Sequence, residues 1–359
     1  MSVEAYDGTT QALTITINGT NDVPTIAVKT DADDLTGSLM EDGGTLKATG
    51  SLTITDTDTG ENQFDTTADY TGTYGGLTIT ADGDWEYTLD NTGSKVQGLK
   101  QGEVVTDVIT VYALDGSATE DVTITITGTN DNPTITSTTP AGKFEGLIVE
   151  DTASVTGQLA ITDADGGESR FKVQTDDTAP TYGTFSITDT GAWTYKLDNT
   201  DTAVQALAKD ATLTDTVSVE AYDGTTQALT ITINGTNDAP EFTSSASEQL
   251  GLVTEDGTVT ATGDLDITDR DGAAEAVYIA QTDTVISKDG KDYGKFSIAT
   301  DGKWTFTLDN VNSSVQELGA SDQVSLTVPV TTGDGTTQIV AITVKGTCLL
   351  YTSPSPRDS

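Results

Sequence analysis

The sequence has no histidine and a single cysteine, Cys348, among 359 residues. Without imidazole, the commonest general base, the usual nucleophilic triads and most zinc or copper sites are excluded. One thiol cannot close an internal disulfide, so the chain must be stiffened by other means. Positive charge is scarce too: 16 Lys and Arg stand against 57 Asp and Glu, for a formal net charge of −41. A field of that sign repels phosphate backbones and anionic lipid, which excludes nucleic acid as a partner. No apolar run approaches the ~20 residues needed to span a bilayer, so membrane insertion is not expected. The opening residues Met1–Asp7 carry neither the basic nor the apolar stretch of a secretory leader.

What remains is orderly. Thr supplies about a fifth of all positions and 36 glycines punctuate them, which suits strands and turns over helices. Gly-Thr-Asn-Asp occurs at 19–22, 128–131 and 235–238, and Gly346-Thr347 begins a fourth copy, in steps of 109, 107 and 111 residues. Trp85, Trp193 and Trp304 keep nearly the same step, and residues 2–22 recur without change at 218–238. Such a period is too long for a solenoid unit and matches a self-sufficient domain. The expected array is a C-terminal repeat fragment over 1–22 and complete repeats over 23–131, 132–238 and 239–347. The tail, 348–359, shares nothing with the repeats and reads as non-native or artefactual. Because Ser2 corresponds to Ser218, late in its repeat, the sequence reads as a piece of a longer array.

Each repeat alternates apolar and polar residues with period two. Leu77 and Ile79, then a turn, then Trp85, Tyr87 and Leu89 predict a hairpin with one buried face, and Trp193 and Trp304 head the equivalent strands. A second hairpin pairs Ile109, Val111 and Ala113 with Val122, Ile124 and Ile126 around Asp115-Gly116. The predicted fold is all-β: tandem antiparallel β-sandwich domains of immunoglobulin-like architecture. The tryptophans are expected in the cores, and Thr123, Thr125 and Thr127 on a solvated face. Val96–Leu99, Val204–Leu207 and Val315–Leu318 each allow one helical turn.

The acids fall at strand ends. Each complete repeat has an early Glu-Asp (Glu41-Asp42, Glu150-Asp151, Glu255-Asp256) and then Asp-x-Asp (Asp56/Asp58, Asp163/Asp165, Asp269/Asp271). Leu-Asp-Asn (Asp90, Asp198, Asp309), a late Asp-Gly (Asp115, Asp223, Asp334) and the Asn-Asp junction follow. Clustered carboxylates repel, and a hard divalent cation is the simplest remedy. Ca²⁺ takes ~6–8 oxygens from carboxylates, Asn side chains and carbonyls, the groups on offer. Asp-Gly and Asn-Asp are also ordinary turn formers, so for the late Asp-Gly the turn and ligand readings both stand. EF-hand loops are excluded, since Gly60 falls at loop position 5 and Gly166 at position 4; the Gly-Gly-x-Gly-x-Asp nonapeptide is absent.

Glu41-Asp42, DTDTGEN at 56–62, Asp115-Gly116 and NDNP at 130–133 together resemble the calcium signature of cadherin repeats in the same order. The Gly-Thr-Asn-Asp junctions and Gly-x-Trp…Leu-Asp-Asn hairpins resemble VCBS repeats, the cadherin-like modules arrayed in large bacterial RTX-type surface adhesins. The resemblance covers about residues 1–347 and implies a ligand layout. At the second junction Glu41 and Asp90 come from the preceding domain, Asn130, Asp131 and Asn132 from the linker, and Asp163, Asp165 and Asp223 from the following one. The third uses Glu150, Asp198, Asn237, Asp238, Asp269, Asp271 and Asp334. The first keeps Asn21, Asp22, Asp56, Asp58 and Asp115. Cadherins carry a Glu two residues after the Asp of Leu-Asp, where this chain has Thr92, Thr200 and Val311. Either fewer ions bind per junction, or Asp90 and Asp198 stand in.

The implied function is a calcium-stiffened extender of a secreted or cell-surface bacterial adhesin, projecting a distal tip for adhesion or biofilm formation. The alternative is a module that binds surface polysaccharide or other copies of itself, for which Tyr278 and Phe242, lacking obvious counterparts, are the aromatics to inspect. An enzyme is not expected, because every carboxylate pair recurs in each repeat at a strand end.

Overall fold

The structure, a computed structural model, describes residues 1–29, 35–138 and 142–348. The fold is all-β, with 49% of residues in strands and 1% helical. Three separate hydrophobic cores recur along the chain, centred on Trp85, Trp193 and Trp304, which are 2%, 4% and 1% exposed. Each tryptophan lies flat beneath a glycine of the neighbouring strand. A Cβ at Gly157 would meet the Trp193 ring at 2.3 Å, and one at Gly50 the Trp85 ring at 2.5 Å. The glycines are there for close approach, not for a turn.

Around the first core, one sheet orders its strands as Thr25–Val28, Lys47–Thr55, Asp84–Leu89 and Gly75–Ile79, all antiparallel. The facing sheet orders Thr36–Met40, Thr119–Thr127 and Val104–Tyr112. The other two repeats follow this plan with an added edge strand, Gln174–Asp177 and Gln281–Lys288, and in the third the first pair, Glu241–Phe242 with Ile267–Thr268, forms a separate ladder. One pairing departs from the antiparallel expectation: Thr36–Met40 runs parallel to Thr119–Thr127, as Glu145–Val149 does to Thr226–Asn234 and Leu250–Thr254 to Thr337–Lys345. The chain switches sheets after its first strand, so the second runs alongside the last strand in the same direction. The parallel strand therefore ends where the repeat ends, and carries the early Glu-Asp to the exit.

The Thr123, Thr125 and Thr127 side chains lie on the outer face, half-buried, opposite the buried Val122, Ile124 and Ile126. Of the three apolar patterns that allow a helical turn, only the third forms one, Ser313–Gln316, capped by the Asn312 side chain. The other two are turns that still bury Val96, Leu99, Val204 and Leu207. Tyr278 and Phe242 do have counterparts, which corrects the sequence reading. Tyr278 bridges Thr332 as Phe64 bridges Ala113 and Phe171 bridges Ala221. Phe242 pairs with Ile267 where Ile26 pairs with Ile54, and it packs on the third core. The loops around them vary in length, which hid the equivalence. Of the tail, Cys348 is exposed and residues 349–359 lie outside the described residues. No described helix is long and apolar enough to cross a membrane.

Candidate metal centre

The upstream half of each site is built by the parallel strand. The Glu41 N–H donates to the Thr127 carbonyl at 2.9 Å, continuing the ladder one residue past the strand, and Oε2 accepts from the Thr129 N–H at 3.1 Å. Glu150 repeats this with Asn234 and Thr236, and Glu255 with Lys345 and Thr347. All three glutamates are buried, at 0%, 2% and 0% exposed. The next residue turns into the left-handed region, at φ 52°, 62° and 50° for Asp42, Asp151 and Asp256, a conformation Asp tolerates. Its N–H is caught by the side-chain oxygen of Asn91, Asn199 or Asn310 at 3.0, 3.2 and 3.0 Å.

The downstream half is the Asp-x-Asp turn. The second aspartate's N–H donates to the first one's Oδ1, at 2.7 Å for Asp58 to Asp56, 3.0 Å for Asp165 to Asp163 and 2.9 Å for Asp271 to Asp269. The second aspartate's Oδ2 then accepts the N–H of the linker aspartate: Asp22 to Asp58 at 2.8 Å, Asp131 to Asp165 at 3.0 Å, Asp238 to Asp271 at 2.8 Å. The two internal linkers are thus pinned twice, two residues apart, to the repeat before and the repeat after: Thr129 and Asp131 in one, Thr236 and Asp238 in the other. The linker asparagine reaches the late Asp-Gly: Asn21 Nδ2 to Asp115 at 2.8 Å and Asn130 Nδ2 to Asp223 at 3.4 Å. Asn237 Nδ2 donates to the Asp238 carbonyl at 2.9 Å, a bond Asn21 and Asn130 also make to Asp22 and Asp131, and Asp334 accepts from Thr336.

These bonds leave many of the carboxylate oxygens unused. Asp56 Oδ2, Asp131 Oδ2, Asp163 Oδ2, Asp165 Oδ1, Asp238 Oδ2, Glu255 Oε1, Asp269 Oδ2 and Asp271 Oδ1 are all buried without a hydrogen-bond partner. Buried carboxylate oxygens without donors are costly. Burial pushes the Asp165 carboxyl above its ordinary range; the Asp131 N–H opposes this, and the charges of Asp163 and Asp223 add to the rise. Burial likewise raises Glu41, against the Thr129 N–H and reinforced by Asp131, Asp42 and Asp165. Glu150, Asp131 and Asp238 are raised too, burial first and neighbouring acids after it. Glu41 and Asp165 belong to successive repeats, so the repulsion acts across the junction. Oriented oxygens, mutual repulsion and no nitrogen or sulfur donor fit a hard cation such as Ca²⁺.

Not every expected ligand joins this group. Asp90 and Asp198 are exposed and accept from their own turns, through Thr92 and Thr200. The Thr200 hydroxyl, then its N–H, holds Asp198 below the usual carboxylate value. It is the next residue, Asn91 or Asn199, that reaches the Glu-Asp end. Asn132 is exposed on a shallow hollow with Gln97, Asp131 and Asp163. The sequence reading missed Gln97 and Gln205, which donate to Glu41 and Asp42 and to Glu150 and Asp151, and it missed Glu61. Carboxylate oxygens of Asp56, Glu61 and Asp115 lie within 4.8 Å of one another. The available signal was an acid three residues before a buried aromatic in every repeat.

The sequence family described as the bacterial cadherin-like domain matches residues 21–128 and 130–235. None of the curated proteins matches the chain. Among solved structures it is similar to the protocadherin gammaB4 extracellular domain, at 17% identity and TM-score 0.44 over 87% of this chain and 48% of that one. Drosophila N-cadherin EC1-4 follows at 14% identity and TM-score 0.39, over 91% and 76% of the two chains. Human CDH23 EC21-23 gives 15% and 0.42, over 90% and 100%. The chain therefore spans about half the length of the first of these.

Proposed function

Because the chain belongs to the bacterial cadherin-like domain family, we propose that it is a calcium-stiffened extender: a row of β-sandwich beads over 23–131, 132–238 and 239–347 whose junctions are locked by Ca²⁺. The beads would project the distal tip of a secreted or cell-surface bacterial adhesin of the RTX type, built from VCBS repeats, for adhesion or biofilm formation. The observation that supports this best is the set of buried, donor-less carboxylate oxygens gathered from linker and following repeat beside the glutamate of the preceding one. A cation there would satisfy those oxygens and cancel the repulsion between successive repeats.

At the second junction the ligands are Glu41, Asn130, Asp131, Asp163, Asp165 and Asp223. At the third they are Glu150, Asn237, Asp238, Asp269, Asp271 and Asp334. Extracellular modules bind Ca²⁺ at ~10⁻⁴–10⁻³ M, so the array would be limp inside a cell and rigid outside it. The reading as a polysaccharide-binding module has lost its candidate aromatics, since Tyr278 is 2% exposed and Phe242 packs on the core. The test is small-angle scattering and thermal melting across a millimolar Ca²⁺ titration. Ca²⁺ should lengthen the particle and raise its melting temperature, with a chelator reversing both; unchanged curves would overturn the proposal.

A further inference from the structure

The chain carries one labile dipeptide twice, in the same sequence context and in opposite structural ones. Asn18-Gly19 and Asn234-Gly235 hold the same place in the identical segments 2–22 and 218–238, and every other Asn is followed by a residue with a side chain. An Asn before Gly is chemically labile, because no Cβ hinders the Gly nitrogen from attacking the Asn side-chain carbonyl. The reaction is intramolecular and its only co-reactant is water. The Gly nitrogen gives its proton to solvent and bonds to the Asn Cγ; the Cγ–Nδ2 bond breaks, and the nitrogen takes up solvent protons and leaves as ammonia. Water then opens the five-membered imide at either carbonyl, giving aspartate or, with the backbone rerouted through the side chain, isoaspartate. The ring closes only when the Gly nitrogen swings into line with Cβ about the Asn Cα–C bond, and extended strand backbone holds it about a third of a turn away.

The two copies meet that requirement differently. Asn18 and Gly19 are exposed and outside any strand, and among the described residues neither makes a hydrogen bond. A Cβ on Gly19 would meet nothing within 4 Å. Asn234 instead closes the strand Thr226–Asn234 with a partner on each side, Val149 and Thr212. Its carbonyl accepts the Glu150 N–H at 2.8 Å, and the attacking nitrogen, that of Gly235, is tied by its N–H to the Ala211 carbonyl at 2.9 Å. A Cβ on Gly235 would lie 2.4 Å from the Leu207 and Ala208 carbonyl oxygens, so the backbone there has no room to turn. Thr127-Gly128 and Lys345-Gly346 stand at this place in the other two repeats, which confines the chemistry to the middle one.

We propose that Asn-Gly is a self-modifying site gated by the fold: Asn18 converts spontaneously to aspartate and isoaspartate, whereas Asn234 converts only when the exit of the middle repeat opens. Conversion at 234 damages the third junction from its upstream side. Isoaspartate adds one backbone carbon between Ile233 and Gly235, so the Glu150 N–H bond to the residue-234 carbonyl and the Thr236 N–H bond to Glu150 Oε2, at 2.8 and 3.1 Å, cannot both keep their register. Each opening that reacts leaves a permanent negative charge beside Glu150. The inference goes beyond the extender and does not depend on bound calcium.

The test is peptide-mapping mass spectrometry of the full chain aged in mildly alkaline buffer, where the Gly nitrogen loses its proton more readily. Trypsin separates the twins, since residues 1–29 and 210–270 are different peptides. In native buffer Asn18 should convert about tenfold faster than Asn234 or more, because local opening limits the second site. In urea the two should convert at the same rate, their neighbours being identical, and water labelled with heavy oxygen should leave its label in both products. Gly19→Ala should slow conversion at Asn18 sharply; the added Cβ has open space, so folding is not at issue. Equal rates in the native chain would overturn the gating, and an Asn18 that stays intact would overturn the site. Neither result bears on the extender, which the Ca²⁺ titration tests separately.

Discussion

At the scale of single residues, the acids divide into those that face a junction and those that hold a sandwich together. Asp215 is 5% exposed yet lies away from the poles, and it accepts from the Thr181 and Tyr182 amides at 3.0 and 2.9 Å and from the Tyr195 hydroxyl at 2.9 Å, besides the amide of its own neighbour Thr216 at 3.1 Å. Burial, then the Asp215 carboxylate, holds the Tyr195 phenol well above its ordinary value. Asp107 and Tyr87 repeat the arrangement with Thr73 and Tyr74. In the third repeat Phe306 and Leu326 take these positions, and the amides are handled differently: Lys291–Ile298 extends into a hairpin with Gln281–Lys288. Asp215→Leu should therefore leave two amides and a hydroxyl unpartnered in the middle repeat, at about 1–3 kcal/mol each. Adding Tyr195→Phe should recover the hydroxyl's share only, because the middle repeat lacks that longer hairpin. Hydrogen exchange of the middle-core amides measures both, and full recovery in the double variant would contradict this account. Gly157→Ala should cost about 1–3 kcal/mol by the same readout, through overpacking against Trp193.

At the scale of elements, the chain contains its own control. Residues 2–22 and 218–238 are identical, yet Leu13, Ile15 and Ile17 are 48%, 64% and 88% exposed while Leu229, Ile231 and Ile233 are 1%, 0% and 0%. Pairing in the N-terminal copy stops at Ala12, whereas Thr226–Asn234 runs nine residues between two flanking strands. The alternation that predicted strands was legible in sequence, as were the hairpins and tryptophan anchors, because they depend on period-two burial. The parallel strand was not, because its direction depends on a switch of sheets that no local pattern announces. The Glu-Asp and Asp-x-Asp acids were legible as motifs; the contacts of Glu61, Asn91 and Gln97 were not, since they arise only when distant turns meet. The junctions also differ in their direct contacts. The Gly166 N–H donates to the Gly98 carbonyl at 3.1 Å at the second, and Arg270 Nη1 to Gln205 Oε1 at 3.0 Å at the third. Replacing Asp163 and Asp165 by Asn should thus loosen the second junction in Ca²⁺ scattering while the middle sandwich melts as a folded unit. Arg270→Ala should loosen only the third. If the double Asn variant unfolds its repeat outright, those acids are supports within the domain.

At the scale of the whole molecule, a net charge of −41 includes acid groups at the poles, where burial has already raised several carboxyls. The sign of the resulting pH dependence follows from linkage. For Glu41, Asp131, Glu150, Asp165 and Asp238 the folded value lies above the unfolded one, so their contribution to stability is fully present below the ordinary carboxylate range and is lost as pH rises through the folded values. Asp65, Asp69 and Asp198, lowered by Thr hydroxyls and then by backbone N–H groups, act oppositely: their contribution is present above the ordinary value and lost as pH falls through the folded one. In metal-free buffer the melting temperature should therefore peak at mildly acidic pH, about 4–6, and fall toward neutrality. Monovalent salt should flatten that fall by screening the poles, with a Debye length of about 10 Å at 0.1 M. Saturating Ca²⁺ should invert the trend, because the cation binds only ionised carboxylates and protons compete with it, so that the melting temperature rises from pH 5 to pH 7. A metal-free chain whose melting temperature climbs steadily to neutral pH would mean that the polar acids do not repel across the junctions, and the cation would then have no strain to relieve.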